Sequence, residues 1–368
     1  MANRVIISGG GTGGHVFPAI AIANALRRIA PDIEILFVGA NGRMEMERVP
    51  AAGYEIVGLD IQGINRQSLL KNLTLPFKLI NSFIKARKII KEFEAEIAVG
   101  VGGFASGPLL MAANKMGVPT LIQEQNSYAG VTNKSLSAKA KKICVAYEGM
   151  DKFFPPEKIV LTGNPIRRES VDIEGKRTFA LQIYGLQENR KTILILGGSL
   201  GAGGINGCVL DAMEELRGKD GVQVIWQTGK TYYEDMERML YMDKLIPGNV
   251  KVTPFIERMD YAYAAADLII SRAGAGTISE LCVVGKPVIL VPSPNVAEDH
   301  QTKNAQALVA KDAAVMISEA DARGTLMYVA QEMLSDEGRC AALSAGISKM
   351  ALLDADEVIA REVLKLIK

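Results

Sequence analysis

The sequence predicts an α/β fold made of two Rossmann-like domains, each built on a parallel sheet. Short apolar, β-branched runs alternate with longer helix-like segments along the chain of 368 residues, a pattern typical of strands in βαβ units. The pattern also begins twice, because Arg4–Ser8 and Thr192–Leu196 each lead into a glycine-rich loop and then a helix. Domains usually contain roughly 100–200 residues, so the length also favours two of them.

Apolar runs predict strands in both halves of the chain. Those of the first half are Arg4–Ser8, Glu34–Val38, Ile97–Val101, Thr120–Gln123 and Ile143–Val145. Those of the second half are Thr192–Leu196, Val222–Gln227, Val250–Thr253, Leu268–Ser271 and Val288–Val291. The pair Asn164-Pro165 is typical of a turn, so we expect domains at residues 1–163 and 164–350.

The last segment, residues 351–368, is expected to form a helix that packs back on the first domain. Its apolar residues recur at a spacing of four and so share one helical face. They are Ala355, Ile359, Val363 and Ile367.

Composition excludes several classes of protein. Hydrophobic residues make up 48% of the chain and charged residues 23%, as in folded globular proteins. The net charge of +1 gives no general attraction to nucleic acid. We expect neither a leader peptide nor a membrane-spanning helix, since no apolar run is long enough. The chain has only two histidines, and its four cysteines are far apart, so we expect neither a metal centre nor a disulfide framework. The cysteines are expected to be free thiols in a reducing compartment.

A glycine-rich loop, Ser8–His15, follows the first strand and opens a helix. Gly9, Gly11 and Gly14 fit the GxGxxG pattern, in which the backbone approaches a ligand and the helix N-terminus offers N–H groups to an anion. His15 begins that helix, where the dipole favours a neutral imidazole that can accept a proton. We predict an anion-binding loop with His15 as the candidate base. A plain strand-helix turn with a structural histidine is the alternative.

The same loop could belong to a dinucleotide site. Such a site requires an acidic residue at the end of the second strand. Here that strand ends in Val38-Gly39-Ala40, and Asp32 and Glu34 lie at its beginning. An NAD(P)-dependent oxidoreductase is therefore disfavoured.

Further glycine-rich loops repeat the arrangement at Gly100–Gly107, Gly197–Gly204 and Arg272–Thr277. Ligands bind at the carboxyl ends of parallel strands. Together the loops therefore predict a polar, anion-binding cleft between two domains, although any one of them could be an ordinary turn. Glu280 follows Thr277 by one helical turn, so it could bind a ribose diol or complete a Thr-x-x-Glu capping box.

The segment Ile61–Lys91 combines cations with apolar residues and contains no acidic residue. A helical wheel from Pro76 places apolar residues over about half of the circumference and the lysines on the other half. These lysines are Lys78, Lys85 and Lys88. An ordinary helix packed on a sheet is one interpretation, and contact with an anionic membrane surface is the other. The residues expected at the membrane are Leu69, Leu70, Lys71, Leu73, Phe77 and Lys78.

Nucleic acid is the competing partner for these cations. A second patch without acidic residues consists of Lys134, Lys139, Lys141 and Lys142. Aromatic residues that could stack on bases are sparse around both segments. We therefore expect no nucleic-acid partner.

Motifs spread over nearly the whole chain resemble those of the bacterial peptidoglycan glycosyltransferases that form lipid II. In family order they are GGGTGGHVFPA (Gly9–Ala19), VGVGGFASGP (Val99–Pro108), EQNSYAGVTN (Glu124–Asn133), GNPIR (Gly163–Arg167), GGSLGA (Gly197–Ala202), SRAGAGTISE (Ser271–Glu280) and EDHQTKNA (Glu298–Ala305). Single loops are weakly specific, whereas the ordered set is highly specific.

The resemblance implies a GT-B fold, with two Rossmann-like domains facing a deep cleft. It implies inverting, metal-independent and cofactor-free transfer of N-acetylglucosamine from UDP-N-acetylglucosamine to the muramoyl sugar of lipid I. The enzyme would then be a peripheral protein on the cytoplasmic face of the cell membrane, with other cell-wall synthesis proteins as further partners.

The resemblance also implies the residues that bind the donor. Those expected beside its sugar and diphosphate are Thr12, Gly13, Gly14, Asn126, Arg167, Ser199 and Gln301. Ile256 would hold the uracil through its backbone, and Glu280 would bind the ribose hydroxyls. The nucleotide loop would be Ala275, Gly276, Thr277, Ile278, Ser279 and Glu280.

The chain departs from the family pattern at two positions. Many relatives have histidine before Glu-Gln-Asn, where this chain has Gln123. The general base is then His15 or an acidic residue. The family's Gln-Gln pair is His300-Gln301 here, which leaves a role for the first position in doubt.

Two other functions stay open at this point. A UDP-N-acetylglucosamine 2-epimerase shares the two-domain fold but leaves the basic segment Ile61–Lys91 unexplained. A non-catalytic protein that senses nucleotide sugars or serves as a membrane scaffold would bind without turnover.

Overall fold

The computed structural model describes residues 3–63, 74–198, 200–217, 220–242 and 246–367. The chain divides into two compact units. The first is Met1–Ile166 together with Leu352–Lys368, and the second is Arg167–Ala351.

The described part of the first unit contains one parallel sheet. Its strands are β1 (Arg4–Gly9), β2 (Glu34–Ala40), β3 (Glu55–Leu59), β4 (Ile97–Gly102), β5 (Thr120–Glu124), β6 (Lys142–Val145) and β7 (Ile159–Leu161). They lie in the order β3-β2-β1-β4-β5-β6-β7. The helices on its two faces are α1 (Gly13–Ile29), α2 (Glu45–Ala51), α3 (Leu75–Phe93), α4 (Ser106–Met116) and α5 (Val131–Ser137).

The second unit also contains a parallel sheet. Its strands are β8 (Lys191–Leu196), β9 (Val222–Gln227), β10 (Val250–Thr253), β11 (Leu268–Ser271), β12 (Val288–Leu290) and β13 (Val315–Met316). They lie in the order β10-β9-β8-β11-β12-β13. Its helices are α6 (Arg168–Val171), α7 (Arg177–Tyr184), α8 (Gly203–Asp211), α9 (Met213–Arg217), α10 (Lys230–Met242), α11 (Met259–Ala265), α12 (Ala275–Val284), α13 (His300–Val309), α14 (Glu319–Ala322), α15 (Leu326–Ser335) and α16 (Glu337–Ser348).

The strand order explains where ligands can bind. In the first sheet the direction of strand addition reverses between β1 and β4, and in the second between β8 and β11. Each of these four strands runs into one of the glycine-rich loops. Such reversal points are the usual binding crevices of open α/β sheets. The predicted parallel α/β fold is confirmed, and within each unit two glycine loops emerge side by side.

Three strands were not predicted from the sequence, and each of them is an edge strand of its sheet. β3 and β7 are the two edges of the first sheet, and β13 is one edge of the second. Their residues are largely half-buried. A short, half-buried strand lacks the continuous apolar run that identified the central strands.

The final helix, α17 (Ala355–Leu366), packs on α1 within the first unit. Ile359, Ala360 and Val363 are fully buried in the same cluster as the apolar side chains of α1. Arg28 Nη2 lies 2.7 Å from Asp356 Oδ2, which ties the far end of α1 to the start of α17.

Candidate functional site

The two glycine loops of the first unit interlock through their backbones. Gly10 N donates to Gly102 O at 3.3 Å. A Cβ on Gly103, whose φ is +89°, would lie 2.3 Å from Gly10 O. The buried Ser106 hydroxyl lies 2.9 Å from Ser8 O and 2.8 Å from Gly102 O. The glycines are therefore required so that the loops can approach each other.

Glu45 holds the first of these loops, and sequence reasoning missed it. Its side chain is buried, and its carboxylate accepts hydrogen bonds from Gly11 N at 2.8 Å and Ala40 N at 3.0 Å. A Cβ on Gly10 would lie 2.1 Å from Glu45 Oε1, and one on Gly39 would lie 2.6 Å from Glu45 Cγ. Part of the anion-binding capacity of the loop is therefore used by the protein's own carboxylate.

His15 is held by both loops. A Cβ on Gly102, whose φ is +104°, would lie 2.5 Å from the imidazole Cδ2. The imidazole Nδ1 lies 3.1 Å from Gly10 O and 3.4 Å from Thr12 Oγ1. A carbonyl oxygen only accepts, so this contact requires the proton on Nδ1. In the neutral ring the lone pair then belongs to Nε2, the atom that a general base uses.

The predicted residues Thr12, Gly13 and Gly14 form the start of α1. Thr12 is the N-cap in an extended conformation, and its side chain makes no capping hydrogen bond. The first turn contains no acidic residue. This helix end is consequently suited to an anionic group.

Asn126 is held by a buried carboxylate. Glu124 Oε1 accepts from Asn126 N at 3.1 Å and Nδ2 at 3.3 Å, and its Oε2 accepts from Gly130 N and Asn133 Nδ2. Gln123 is fully buried in β5 and donates to Asn164 Oδ1 at 2.9 Å. The position at which relatives have histidine is therefore a structural amide in this chain.

In the second unit, Glu280 is paired with a buried tyrosine. Tyr263 Oη donates to Glu280 Oε2 at 3.2 Å, and Tyr263 is fully buried. Burial raises the pKa of Glu280, while the Tyr263 hydrogen bond and the positive charge of Arg167 lower it. The predicted residues Arg167 and Glu280 thus influence each other electrostatically, and Tyr263 is a partner that the sequence did not reveal.

The capping-box interpretation of Glu280 is wrong. α12 begins at Ala275 with Gly274 as its N-cap, so Thr277 lies inside the helix and cannot cap it. The first turn, Ala275–Ile278, contains no acidic residue and has no side-chain cap. Ser279 donates to Ala275 O at 3.1 Å. Gly276 follows Ala275 in this turn, whose N–H groups suit an anion.

Gln301 supports the same loop from α13. Its Oε1 accepts from Ala273 N at 3.3 Å and Ser293 N at 2.9 Å. The side-chain NH2 is the part that can donate to a ligand. Arg272 adds a second brace, because its Nη1 donates to Val291 O at 3.0 Å and Pro292 O at 3.1 Å.

The remaining residues predicted to bind the donor are Ile256, after β10, and Ser199, which follows β8 in the chain. Ile256 is buried after β10, so it can meet a ligand through its backbone only. The loop after β8 packs against the loop after β9, since a Cβ on Gly229 would lie 2.1 Å from Gly201 Cα. Ser199 lies outside the described residues.

Helix α3 packs within the first unit through only part of its surface. The buried face consists of Ser82, Ala86, Ile89 and Ile90. Lys78 is half-buried and Lys85 exposed, and their amines donate to Gln62 Oε1 at 3.1 Å and Gly58 O at 2.8 Å. Gly58 belongs to the edge strand β3, which leaves backbone carbonyls available.

The exposed side of α3 includes an apolar stripe near its beginning, followed by exposed cations. Phe77, Ile80 and Ile84 are 71%, 56% and 59% exposed and recur at helical spacing. The other predicted membrane residues lie outside the described residues: Leu69, Leu70, Lys71 and Leu73.

Metal-binding clusters and membrane-spanning helices are absent from the described ranges. No group of three or more His, Cys, Asp or Glu side chains there is arranged to hold a metal ion. No helix within them is both long and apolar enough to cross a membrane. All four cysteines are free thiols, three of them buried.

Family models match both halves of the chain. Residues 5–145 match the glycosyltransferase family 28 N-terminal domain, and residues 192–358 match the family 28 C-terminal domain. A UDP-N-acetylglucosamine--N-acetylmuramyl-(pentapeptide) pyrophosphoryl-undecaprenol N-acetylglucosamine transferase from Bacteroides fragilis is 57% identical over 99% of this chain and 96% of its own length. The protein of the same name from Flavobacterium psychrophilum is 50% identical over 99% of this chain and 98% of its own.

Solved structures show the same likeness. The crystal structure of Acinetobacter baumannii MurG has a TM-score of 0.79 and 30% identity, with 99% of each chain covered. A UDP-GlcNAc 2-epimerase from Neisseria meningitidis has a TM-score of 0.66 at 15% identity, covering 99% of this chain and 100% of the other. At that identity the second match shows the fold alone.

Proposed function

The chain belongs to glycosyltransferase family 28 and, within it, to the transferases that add N-acetylglucosamine to undecaprenol-linked muramyl-pentapeptide, and from this membership we propose how its residues carry the reaction. It is a glycosyltransferase. Its donor is UDP-N-acetylglucosamine, its acceptor is lipid I, and its products are lipid II and UDP. The epimerase alternative has support only at the level of the fold.

The observation that carries the catalytic proposal is the geometry of His15. Nδ1 donates to Gly10 O, and Nε2 takes the proton from the muramoyl 4-hydroxyl as that oxygen attacks the anomeric carbon. The new glycosidic C–O bond forms as the bond between the anomeric carbon and the UDP oxygen breaks. Attack from the face opposite the departing UDP inverts the anomeric configuration. Because the amide of Gln123 cannot act as a general base, His15 is the better candidate in this chain.

The second unit supplies the donor side of the proposal. Glu280 accepts from the ribose hydroxyls, and Tyr263 fixes its orientation. Arg167 and the uncapped first turn of α12 stabilise the negative charge of the departing diphosphate. The Ile256 backbone binds uracil, and the Gln301 NH2 binds sugar hydroxyls. Roles for Thr12, Gly13, Gly14, Asn126 and Ser199 at the donor sugar and diphosphate stay predictions.

The exposed face of α3 is the proposed membrane contact. Phe77, Ile80 and Ile84 form its apolar stripe, and the acid-free first half of the helix keeps negative charge away from it. Arg87, Lys88 and Lys91 follow on the same helix, and each cation near an anionic surface contributes roughly 1 kcal/mol. We infer peripheral attachment to the cytoplasmic face of the membrane that carries lipid I. Cell-wall synthesis proteins as partners stay a prediction.

The test is acceptor-dependent release of UDP from UDP-N-acetylglucosamine with EDTA present, for the unmodified chain and for His15→Ala. We expect release that requires a lipid I analogue, survives EDTA and falls at least ~100-fold in the variant, as for loss of a general base. UDP binding by His15→Ala reports that it is folded. Release without acceptor, or full activity of folded His15→Ala, would contradict the proposal.

A further inference from the structure

One peptide group lies between Glu45 and His15. The peptide that joins Gly10 to Gly11 donates its N–H to Glu45 Oε2 at 2.8 Å. Its carbonyl, Gly10 O, accepts from His15 Nδ1 at 3.1 Å. We propose that Glu45 is a positioning residue that acts on His15 through this peptide, fixing the imidazole tautomer and stabilising its protonated form. The catalytic meaning of this relay rests on the proposed function.

Hydrogen bonds in a chain polarise one another. By accepting from the peptide N–H, the Glu45 carboxylate polarises the peptide and increases the negative charge on Gly10 O. Gly10 O then accepts more strongly from His15 Nδ1–H. When Nε2 takes a proton from the acceptor hydroxyl, the ring becomes cationic and this bond becomes charge-assisted. The proton stays on Nε2, and none passes to Glu45. A carboxylate serves a histidine in this way by direct contact in other enzymes, whereas here one peptide separates the two.

The surrounding residues keep the peptide in this orientation. Glu45 Oε1 accepts from Ala40 N, so the carboxylate is anchored to the end of β2 as well. Gly11 has φ of +86°, and Gly103 packs directly against Gly10. Rotation of the peptide would break both hydrogen bonds at once.

The neighbouring elements of the first unit, as far as the structure describes them, carry these charged residues. The loop before α4 (Gly102–Ala105) is uncharged, and the cation of α4, Lys115, lies in its last turn. On α2, Glu47 and Arg48 are exposed, and the preceding Arg43 lies over the Phe104 ring at 5.9 Å. The acidic residues at the start of α17, Asp356 and Glu357, pair with Arg28 at the other end of α1. The positive end of the α1 dipole opposes protonation, which makes the compensation by Glu45 useful.

The chain has two histidines, so both can be followed by NMR in the full-length protein, with His300 as the internal reference. Three variants are compared: Glu45→Gln, Glu45→Asp and the exposed control Glu47→Gln. In Glu45→Gln we expect the His15 imidazole to titrate at lower pH, and the acid limb of the kcat profile to move with it. kcat falls about tenfold, as for loss of a group that orients a functional histidine. KM for UDP-N-acetylglucosamine stays within about twofold, and Glu47→Gln behaves as the unmodified chain.

Glu45→Asp separates an electrostatic role from a structural one. Aspartate keeps the charge but shortens the side chain, so we expect a smaller shift of the His15 titration than in Glu45→Gln. Glutamine keeps only one of the two acceptor oxygens and aspartate is shorter, so a purely structural role predicts the larger titration shift in whichever variant loses more stability on thermal unfolding. Should Glu45→Gln fail to fold, the Gly11 amide proton is followed together with His15 in Glu45→Asp: the two must shift together, and a His15 shift with an unchanged Gly11 amide would overturn the relay.

An unchanged His15 titration in the folded variants would overturn the proposal. The NMR readout does not depend on turnover. If His15→Ala keeps its activity, the proposed base fails while the titration still decides whether the relay exists.

Discussion

Tyr263 donates a hydrogen bond of 3.2 Å to Glu280, and the tyrosine side chain is fully buried. A buried carboxylate tends to hold its proton, and burial does raise the pKa of Glu280. The phenol hydrogen bond acts against burial by stabilising the charged form. This relationship between the two residues sets the pH range in which Glu280 is charged and can make the hydrogen bonds to ribose proposed above.

Tyr263→Phe removes that hydrogen bond. The pKa of Glu280 then rises further, so the carboxylate becomes neutral at a higher pH than in the unmodified chain. We expect donor affinity to fall about tenfold at neutral pH, since hydrogen bonds to charged groups contribute roughly 1.5–3 kcal/mol. The loss grows as pH falls. Calorimetric titration with UDP-N-acetylglucosamine between pH 5.5 and 8 measures it.

Tyr261→Phe is the control for this change, because that tyrosine lies on the same helix and contacts Arg258 and Phe179 instead. Its donor affinity should match the unmodified chain. A Tyr263→Phe variant whose affinity and pH dependence are both unchanged would show that the hydrogen bond has no part in binding.

Gly10→Ala tests the packing of Glu45 against the first glycine loop. The new Cβ would meet Glu45 Oε1 at 2.1 Å, so the carboxylate must leave its place. We expect a loss of about 1–3 kcal/mol of stability from overpacking and a clear loss of kcat. Thermal unfolding and UDP release measure the two effects. Gly207→Ala, where no atom lies within 4 Å of the added Cβ, should be tolerated; equal damage in both variants would count against this explanation.

Asp260 makes stability dependent on pH in the second unit. Arg258 donates to it at 2.7 Å and Lys176 at 3.1 Å, and the Arg258 hydrogen bond lowers the pKa of Asp260 to about 2. An unfolded aspartate titrates near ~3.9. The stabilisation is therefore complete above about pH 4 and is lost as pH falls through about 2.

Asp260→Asn should consequently lower the free energy of unfolding at pH 7 by about 1–2 kcal/mol, an amount reduced by the exposure of Arg258. The difference from the unmodified chain should shrink towards pH 2. Thermal melts at several pH values follow it. Asp220→Asn is the control, because that carboxylate is fully exposed in its pair with Arg190. A destabilisation that does not vary with pH would contradict the ion-pair explanation.

Replacing the α3 stripe tests the membrane contact. In a Phe77→Ser, Ile80→Ser, Ile84→Ser variant we expect at least a tenfold loss of binding to vesicles with anionic lipid, because each large apolar side chain contributes roughly 1.5–3 kcal/mol when buried. Activity on a water-soluble acceptor analogue should persist. Tyr328→Ser, an exposed aromatic on α15, serves as the control. Unchanged vesicle binding by the triple variant would move the contact elsewhere.

The sequence predicted the central strands because each is a continuous apolar run buried on both faces. It predicted the glycine loops because close backbone approach leaves a residue signature. It could not predict β3, β7 and β13, whose half-buried residues have weaker patterns. Glu45 and Tyr263 were missed for another reason: their partners, Gly11 and Glu280, are distant in the chain, and only the packed fold brings them together.

The wheel drawn for α3 shows the same limit. Periodicity separated the lysines from the apolar residues, but it did not show which half faces the sheet. The packed structure shows it: Ser82, Ala86, Ile89 and Ile90 are buried, while exposed Lys85 binds the Gly58 carbonyl of β3. The family pattern assigns site residues by motif and needs no such contact information. It therefore assigned more site residues than the chemistry and spacing of the residues alone.

The packing of α17 on α1 has a consequence for how the chain acquires its structure during synthesis. The second unit is one uninterrupted segment, Arg167–Ala351, whereas the first is completed by Leu352–Lys368. Ile359, Ala360 and Val363 fill the core beneath α1. During translation, the apolar surface beneath α1 therefore stays uncovered until Leu352–Lys368 has been made. The second unit is fully synthesised before that segment, so it can complete its fold before the first unit does.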